Sequence, residues 1–385
     1  MKKIKVMSIF GTRPESTKMA PLIKAMEQDE SIESIVCVTA QHREMLDMVL
    51  NIFDIKPDYD LDIMQQGQTL SDITIRSIRG LEEVLKKEKP DLVLVHGDTT
   101  TSFAGSLAAF YNKIKVGHVE AGLRSYDKYQ PYPEEMNRKL IGSIADLHFS
   151  PTVFSKCNLI KENVSEENIF VTGNTAIDCM KDTLKEDYSF KLESLNKINF
   201  KKKRVIAVTA HRNENLGKPL RDICNAILDI VNDYDDVEVV YAVHLNPVVR
   251  ETVFDILGGN EKIHLTKPLD LDDMHNLMAC SYVVLTDSGG LQEEVAHLNK
   301  PVLVLRNVTE RPEGVSAGTL KLAGNNRENI YKITKLILDD KTEYEKMANA
   351  KNPFGDGEAS FRIKEAIKYH FGVISKKPKE FRVEE

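Results

Sequence analysis

The chain has 385 residues, 42% of them hydrophobic, and carries a net charge of −7 with a pI near 5.9. Its length exceeds what one ordinary hydrophobic core supports and predicts two domains. The acidic balance, without a basic stripe, argues against nucleic acid as a partner.

Neither a membrane segment nor an export signal is expected. No run reaches the ~20 apolar residues that a membrane-spanning helix requires. Residues 1–5 lead straight into a strand pattern instead of the apolar stretch of a signal peptide. The five cysteines are scattered and lack Cys-x-x-Cys spacing, which favours reduced thiols. We therefore expect a cytoplasmic protein.

The predicted elements alternate between strands and helices. Apolar, β-branched runs predict strands at 4–10, 32–39, 92–95 and 116–120, and again at 204–209, 237–243, 282–285 and 301–305. Helical patterns follow several of these strands, as at 21–26 and 104–110. This alternation predicts right-handed βαβ units and two similar α/β domains built on parallel sheets.

A domain boundary is predicted near residues 171–175, where a Thr-Gly-Asn-Thr turn follows an apolar run. The first domain then covers residues 1–172 and the second covers 173–365. We expect the C-terminal helix, at about 366–385, to pack back on the first domain.

The turn after the first predicted strand reads Gly11-Thr-Arg-Pro-Glu15 and is followed by Lys18. Glycine allows close backbone approach, the guanidinium of Arg13 suits phosphate, and Lys18 adds a point charge. The alternative is a surface turn capped by Glu15 with two solvated cations. The turn therefore indicates phosphate binding, especially because a second such turn lies late in the chain.

That second turn is Ser288-Gly289-Gly290, directly after an apolar strand. Ser288 is expected to cap the next helix, and the two glycines leave backbone N–H groups open to an anion. On that helix Glu294 borders the buried face and is expected to accept hydrogen bonds from ribose, whereas Glu293 is expected to point away. Further charge is expected from Arg306 and Arg311.

Three carboxylates are expected near the carboxyl edge of the first sheet. Asp98 and Glu120 end predicted strands, and Glu134 opens a helix. Such groups can remove a proton from carbon and protonate a departing oxygen. Asp98 can equally be a helix cap, and Glu134 can equally pair with Arg138 one turn later.

Two histidines, His211 and His244, follow strands of the second domain, and Arg212 adjoins the first of them. His211 is a candidate acid, base or phosphate donor. His118 and His148 lie in apolar runs and are expected to be buried and hydrogen-bonded. No clustered His/Cys spacing indicates a metal, and neither a G-x-G-x-x-G nor a P-loop signature indicates NAD or ATP.

Seven motifs together resemble one family, the non-hydrolysing bacterial UDP-N-acetylglucosamine 2-epimerases. The match runs in order from about residue 5 to about 360, through Phe10-Gly-Thr-Arg-Pro-Glu, His96-Gly-Asp-Thr, His118-Val-Glu-Ala-Gly-Leu-Arg, Pro133-Glu-Glu-Met-Asn-Arg, Thr172-Gly-Asn-Thr, His211-Arg-x-Glu-Asn and Asp287-Ser-Gly-Gly-x-Gln-Glu-Glu.

The resemblance implies a GT-B architecture, with two Rossmann-like, doubly wound parallel-sheet domains facing a cleft, and a homodimer. It also implies reversible conversion of UDP-GlcNAc to UDP-ManNAc without cofactor or metal. The implied mechanism is anti elimination of UDP to 2-acetamidoglucal and its re-addition, supplying N-acetylmannosamine for cell-surface polysaccharide.

The resemblance also implies roles for single residues. The catalytic set is Asp98, Glu120, Glu134 and His211. The substrate-binding set is Arg13, Lys18, Arg138, Ser288, Gly289, Gly290, Glu294 and Arg311. Some members bind a second UDP-GlcNAc as an activator, and the corresponding residues are Gln41, His42, Gln68, Arg212 and His244. Activated members carry Arg at the position of Gly67 and Gln at that of Glu44, so this sequence differs at two positions.

Other functions stay open at this stage. A hydrolysing relative would release ManNAc and UDP, although the Gly-Thr-Arg-Pro-Glu start and the uninterrupted match favour the reversible enzyme. A 2-epimerase of a modified UDP-diacetamido sugar would keep the same UDP-binding motifs. A glycosyltransferase of the same architecture would need an acceptor, and a UDP-sugar-binding regulator would need no catalytic acids.

Overall fold

The computed structural model describes residues 2–41, 43–65 and 67–383, without the side chains of Glu44 and Met45. The chain forms two compact units. Unit 1 consists of Met1–Asp182 and Phe354–Glu385, and unit 2 consists of Thr183–Pro353.

The strands, in chain order, are β1 (Ile4–Phe10), β2 (Ile32–Val38), β3 (Tyr59–Asp60), β4 (Leu92–His96), β5 (Lys115–Val119), β6 (Leu147–Ser150), β7 (Ile169–Val171), β8 (Arg204–Thr209), β9 (Val237–Ala242), β10 (Ile263–Thr266), β11 (Val283–Thr286), β12 (Val302–Val304) and β13 (Leu320–Leu322).

The α-helices are α1 (Arg13–Glu27), α2 (Arg43–Ile52), α3 (Leu70–Glu88), α4 (Thr100–Tyr111), α5 (Glu134–Ile144), α6 (Val153–Lys161), α7 (Thr175–Thr183), α8 (Lys218–Asp233), α9 (Pro247–Leu257), α10 (Leu271–Cys280), α11 (Gly289–His297), α12 (Pro312–Ala317), α13 (Arg327–Asp339), α14 (Lys341–Ala348) and α15 (Ala359–His370). Short 3-10 helices lie at Glu166–Asn168, Glu193–Lys197 and Asn213–Asn215.

Each unit contains one parallel sheet. The sheet of unit 1 has the order β3-β2-β1-β4-β5-β6-β7, and that of unit 2 the order β10-β9-β8-β11-β12-β13. Every strand pair in both is parallel. The predicted α/β class with two Rossmann-like, doubly wound domains is therefore confirmed.

The strand order reverses between β1 and β4 in unit 1 and between β8 and β11 in unit 2. At such a switch point the connecting helices leave toward opposite faces, which opens a crevice at the carboxyl ends of the strands. The candidate residues Gly11, Asp98, His211 and Ser288 each lie one or two residues after one of these four strands. The topology therefore positions both candidate clusters.

Apolar residues of the central strands form the core of each unit. In unit 1, Met7, Ile9, Val93 and Val95 pack in one buried cluster with residues of α3 and α4. In unit 2, strands β8, β9 and β11 contribute to a larger cluster with α8 and α13. Burial of these central strands on both faces explains their nearly continuous apolar sequences.

Both boundaries between the units differ from the predicted ones. The first lies at 182–183 and not at 172–173, and the second lies at 353–354 and not at 365–366. The reason is that the start of α7 is bonded to unit 1: Asn174 N donates to Phe354 O at 2.7 Å, and Asp178 accepts from the backbone N atoms of Ala359 and Ser360. The C-terminal helix also ends at His370 and not near 385.

After α15 the chain is extended along unit 1. Phe381 N donates to Val171 O at 2.8 Å, and the Phe381 ring is buried. In the described part of the chain, no helix is both long and apolar enough to cross a membrane.

Candidate functional site

The turn between β1 and α1 is fixed by the buried carboxylate of Glu15. Its Oε2 accepts from Gly11 N at 3.0 Å and Thr12 N at 2.8 Å, while Oε1 accepts from the hydroxyls of Thr99 and Ser102. Burial raises the pKa of Glu15, against these hydrogen bonds. Glu15 thus ties the first turn to the start of α4, and Arg13 becomes the first residue of α1.

Glu120 directly follows β5 and lies among the candidate residues of unit 1. Its φ of +64° is unusual for a residue with a side chain. The carboxylate is ion-paired with Lys18 and accepts from Asn174 Nδ2 at 2.8 Å. Lys18, predicted to bind phosphate, therefore contacts a candidate catalytic acid.

Gly122, two residues after Glu120, lets the loop after β5 pass close to α6. That glycine has a φ of +93°, and a Cβ atom there would lie 2.2 Å from Ser155 O. Only glycine fits both the conformation and the space. The loop after β5 is thereby held against α6, and Glu120 stays at the strand end.

Asp98 lies at the carboxyl end of the neighbouring strand β4, after Gly97. Its carboxylate is ion-paired with the buried Arg138, and its carbonyl oxygen accepts from Asn137 Nδ2 at 2.8 Å. It does not cap α4, because Thr99 occupies the N-cap and accepts from Ser102 N. Helix α5 therefore contacts Asp98 through two of its residues.

Glu134 is the first residue of α5, as predicted. The same helix carries Asn137 and Arg138, so Glu134 lies one turn before the groups that contact Asp98. Arg138 also approaches Glu135, whose Oε2 is 3.7 Å from Arg138 Nη1. The structure thus brings Asp98 and Glu120 to adjacent strand ends and Glu134 to the helix that contacts Asp98.

Three buried histidines lie beneath these acids. His118 and His148, side by side in β5 and β6, are buried as predicted, and His118 Nε2 lies 2.7 Å from Gly97 O. His96 Nε2 lies 3.8 Å from Glu120 Oε2. Burial lowers the pKa of His118 to about 3 and those of His96 and His148 to about 4.

The residues predicted for a second substrate molecule divide between the two units. In unit 1, Gln41 Oε1 accepts from the Thr101 hydroxyl at 3.1 Å, and Gln68 Oε1 accepts from Arg76 Nη1 at 3.3 Å. His42 lies outside the described residues. Gly67 has a φ of +72° with open space around it. An arginine at position 67 would therefore be strained in this loop conformation.

In unit 2, two glycines and two arginine side chains lie together at the start of α11. Ser288 occupies the N-cap, and Gly289 and Gly290 are the first two helical residues. The expected hydroxyl cap is wrong, since Ser288 makes no side-chain cap bond. A Cβ at Gly289 would lie 3.7 Å from Arg311 Nη2 and 3.8 Å from Arg212 Nη2. Two guanidinium groups thus flank a helix N-terminus, a combination suited to phosphate.

Glu293 was expected to point away from the site, and this is wrong. It is only 1% exposed, and Oε1 accepts from Arg311 Nε at 2.5 Å. The orientation of Arg311 is therefore set by a buried ion pair. Helical periodicity missed this pair because Arg311 lies beyond the end of α11, on the N-cap of α12.

Glu294 is buried in the second turn of α11, and its role in binding ribose stays a prediction. Its Oε2 lies 3.4 Å from His275 Nε2, and His275 Nδ1 lies 2.6 Å from the Thr183 hydroxyl. His275 was not identified from the sequence, because α10 offers no motif around it. Arg306 also follows a strand, and its Nε donates to Glu214 at 2.6 Å.

His211 and His244 follow the adjacent strands β8 and β9 and lie side by side. Their rings stack with centroids 4.9 Å apart and an interplanar angle of 10°. Burial lowers the pKa of His211; the nearby Asp287 carboxylate opposes this, whereas His244 and Arg212 add to it. Asp287 was not predicted as a functional residue, although it stands directly before Ser288.

Residues 24–368 match the family model described as UDP-N-acetylglucosamine 2-epimerase. The UDP-N-acetylglucosamine 2-epimerase of Bacillus subtilis is 56% identical over 381 residues, which cover 99% of both chains.

Two solved structures are also similar. The Staphylococcus aureus MnaA–UDP co-structure has a TM-score of 0.90 at 54% identity and covers 99% of this chain and all of that one. UDP-GlcNAc 2-epimerase from Neisseria meningitidis, bound to UDP-GlcNAc, has a TM-score of 0.87 at 48% identity, covering 94% and 99%. The chain described here belongs to the UDP-N-acetylglucosamine 2-epimerase family.

Proposed function

We propose that this protein reversibly converts UDP-N-acetylglucosamine to UDP-N-acetylmannosamine without releasing free sugar. The product would serve as a donor of N-acetylmannosamine units for polysaccharide. Family membership supports UDP-N-acetylglucosamine as the substrate. The structure of the S. aureus relative contains UDP, and that of the N. meningitidis relative contains UDP-GlcNAc.

The observation that carries the proposal is the pair of carboxylates at adjacent strand ends of unit 1. Asp98 is paired with Arg138, and Glu120 with Lys18. The Glu120 side chain is nearly buried, with 7% exposure, whereas that of Asp98 is 19% exposed. Two carboxylates in different surroundings can take different roles in proton transfer.

The reaction needs one proton removed from C2 and one C1–O bond broken. A carboxylate takes the C2 proton, the C–H electron pair forms the C1–C2 double bond, and the C1–O pair leaves on the β-phosphate of UDP. Anti geometry places the base and the leaving group on opposite faces. Re-addition of UDP, with a proton delivered to the other face of C2, completes the epimerisation. These steps are redox-neutral, so they require no nicotinamide.

Unit 2 is proposed to bind the UDP portion. The N-terminus of α11 and the guanidinium groups of Arg212 and Arg311 would hold the diphosphate. Glu294, close to the same helix turn, would accept hydrogen bonds from the ribose hydroxyls. Charge builds up on the β-phosphate as the C1–O bond breaks, so these donors also stabilise the transition state.

The decisive experiment is proton NMR of the purified protein with UDP-GlcNAc in deuterated buffer, without an acceptor. UDP-ManNAc with deuterium at C2 and little free sugar is the expected result. Free ManNAc with UDP would instead identify the hydrolysing reaction. No change in UDP-GlcNAc, even at high substrate concentration, would overturn the proposal and favour a modified sugar, a transferase or a binding protein.

The variants Asp98→Asn and Glu120→Gln test the carboxylate pair. Loss of either acid–base group should lower kcat by ~100-fold or more, while UDP still binds, since the groups proposed to hold its diphosphate and ribose lie in unit 2. Glu83→Gln is a matched control, because Glu83 is an exposed carboxylate on α3 of the same unit. Wild-type kcat in both test variants would refute the assignment.

We also propose that the protein is a homodimer, as in the family it resembles. Neighbouring helices α4 and α5 of unit 1 expose large apolar side chains, among them Phe110 at 59%, Tyr111 at 66% and Leu140 at 41%. Light scattering should give twice the chain mass, and Phe110→Asp should shift it toward the monomer. A wild-type monomer would reject the proposal.

A further inference from the structure

Asp287 connects two of the segments that carry the candidate residues of unit 2. It directly follows β11, is fully buried, and immediately precedes the Ser288–Gly290 turn. Its Oδ2 accepts from His211 N and Arg212 N, each at 2.8 Å, and from Asn215 Nδ2 at 2.9 Å. One carboxylate oxygen therefore holds the loop after β8 against the start of α11.

The other oxygen of Asp287 points toward the His211 ring. Oδ1 lies 3.5 Å from His211 Nδ1 and makes no hydrogen bond within the described part of the chain. A carboxylate oxygen offers only lone pairs, whereas a neutral imidazole has one N–H and one lone pair. The interaction of Oδ1 with the His211 ring is attractive when the ring N–H faces the oxygen, and it is repulsive when the ring lone pair faces it.

We propose that Asp287 is a positioning residue that keeps the proton of neutral His211 on Nδ1 and so leaves Nε2 as its reactive nitrogen. The inference rests on the proposed function, in which His211 takes part in catalysis. It adds a partner for that histidine and specifies which of its two nitrogens acts on the substrate.

The groups around His211 support one ring orientation. His244 stacks on the ring, and its own Nδ1 accepts from Asn246 N at 3.1 Å, so its proton resides on Nε2. The charged and titratable neighbours are Asp287 after β11, His244 after β9 and Arg212 on the same loop. Of these three, the carboxylate is the acceptor that faces Nδ1.

The arrangement has a chemical consequence. With Nδ1–H directed at Asp287, Nε2 can take a proton from the solvent before the chemical step, and the resulting imidazolium is stabilised by the carboxylate behind it. The new Nε2–H can then donate to an oxygen of the departing diphosphate. The 3.5 Å separation is longer than a formed hydrogen bond, and such contacts shorten when substrate binds.

The tautomer is directly measurable by long-range 1H–15N NMR of protein labelled with 15N-histidine, at pH 7.5 and without substrate. The His211 signals are assigned by their disappearance in His211→Gln. We expect the nitrogen pattern of a ring protonated on Nδ1. A ring protonated on Nε2 in the wild-type protein would overturn the proposal.

Asp287→Asn is the principal variant. The amide oxygen of the variant side chain can take the place of Oδ2 and accept from the backbone N–H groups, but the amide nitrogen then takes the place of Oδ1 and presents a donor to His211 Nδ1, which favours the opposite tautomer. We expect the His211 pattern to switch and kcat to fall by ~10³-fold or more, by analogy with other Asp–His pairs. KM and the Kd for UDP should change less than about threefold. An unchanged tautomer in this variant would contradict the inference.

Asn215→Ala separates positioning from general support of the loop. It removes one donor to Oδ2 and leaves Oδ1 facing His211, so the tautomer should stay on Nδ1. If Asp287→Asn does not fold, the wild-type tautomer measured with and without UDP still decides the question. The expected tautomer in a protein that does not epimerise UDP-GlcNAc would uphold the positioning role and reject the proposed function.

Discussion

The amide of Asn174 donates to the carboxylate of Glu120 at 2.8 Å, across 54 residues of sequence. The same side chain accepts from Ala176 N through Oδ1, so its orientation is fixed from both ends. Asn174 belongs to the turn between β7 and α7, and that turn is bonded to Phe354. The position of a candidate catalytic acid therefore depends on a turn distant in sequence.

Replacing Asn174 with Asp should impair catalysis without removing UDP binding. The variant keeps the acceptor for Ala176 N but replaces the donor to Glu120 with a second carboxylate, which repels it. We expect kcat for epimerisation to fall by ~10- to 100-fold, because a misplaced catalytic group costs about this much. Steady-state kinetics and calorimetric titration with UDP measure the two effects.

Asn349→Asp is the control for the added charge, because Asn349 is an exposed C-cap residue of α14 in unit 2. The prediction fails if Asn174→Asp retains wild-type kcat. It also fails if UDP affinity falls as much as kcat, since that would indicate a general disruption of the fold.

The sequence predicted the long central strands well. The pattern at 4–10 and at 204–209 matches β1 and β8, because seven and six consecutive residues of buried strand leave a clear apolar signal. Strands β3, β6, β7, β10 and β13 were not predicted. They contain two to four residues each, a length at which periodicity is a weak signal.

The positions of the candidate residues were also predictable, but many of their partners were not. A residue that ends a parallel strand must lie at the carboxyl edge of the sheet, which places Asp98 and Glu120. Nothing local indicates that Lys18 would pair with Glu120, 102 positions later. Likewise, Glu293 looks exposed on a helical wheel, because the wheel omits Arg311.

The buried pair of Glu293 and Arg311 leads to a prediction for UDP binding. In Glu293→Gln, Arg311 loses its buried charged partner, whereas the longer contact between its Nη1 and Glu310 Oε2 at 3.4 Å remains, so its guanidinium is held less firmly. Breaking a buried ion pair by removing one partner costs ~3–5 kcal/mol of stability. We expect the Kd for UDP to rise by about tenfold, which calorimetric titration would measure.

Glu328→Gln is the matched control, since Glu328 is an exposed residue in the first turn of α13 in the same unit. Its UDP affinity should equal that of the wild-type protein. An unchanged UDP affinity in Glu293→Gln would mean that Arg311 does not bind the diphosphate.

The C-terminal segment gives a prediction about stability. Phe381 is 5% exposed, its ring is packed against Arg362, and its backbone is bonded to β7. Phe381→Ala should destabilise unit 1 by about 3 kcal/mol, the usual cost of removing a buried phenyl ring. Hydrogen exchange of peptides from β6 and β7 measures this loss locally.

Phe361→Ala provides the comparison, because Phe361 is 53% exposed on α15 of the same unit. In this variant, the unfolding free energy measured by hydrogen exchange should change by less than about 1 kcal/mol. Gly173 packs near the Phe381 ring and precedes Asn174, so Phe381→Ala should also lower kcat. Equal exchange in both phenylalanine variants would show that the C-terminal segment contributes little to unit 1.

Because three histidines are buried in unit 1, we predict that this unit loses stability in mild acid. The pKa values of His96, His118 and His148 are depressed to about 4, 3 and 4, whereas an unfolded chain has histidines near 6.5. Below pH 6.5 the unfolded state binds protons that the folded state does not, so stability falls as pH decreases and is fully present above that value. Each histidine should remove about 2 kcal/mol between pH 7 and pH 5.

The contribution of a single histidine can be isolated with His118→Gln. The glutamine amide can donate to Gly97 O as the imidazole does, but it cannot take up a proton in the unfolded state. Unfolding free energies from hydrogen exchange in β4, β5 and β6, corrected for intrinsic rates, should fall between pH 7 and pH 5 by about 2 kcal/mol less than in the wild-type protein. His264→Gln, a partly exposed histidine in unit 2, should leave the pH dependence of unit 1 unchanged. If the unfolding free energy falls by the same amount in His118→Gln and in the wild-type protein, burial does not hold His118 neutral.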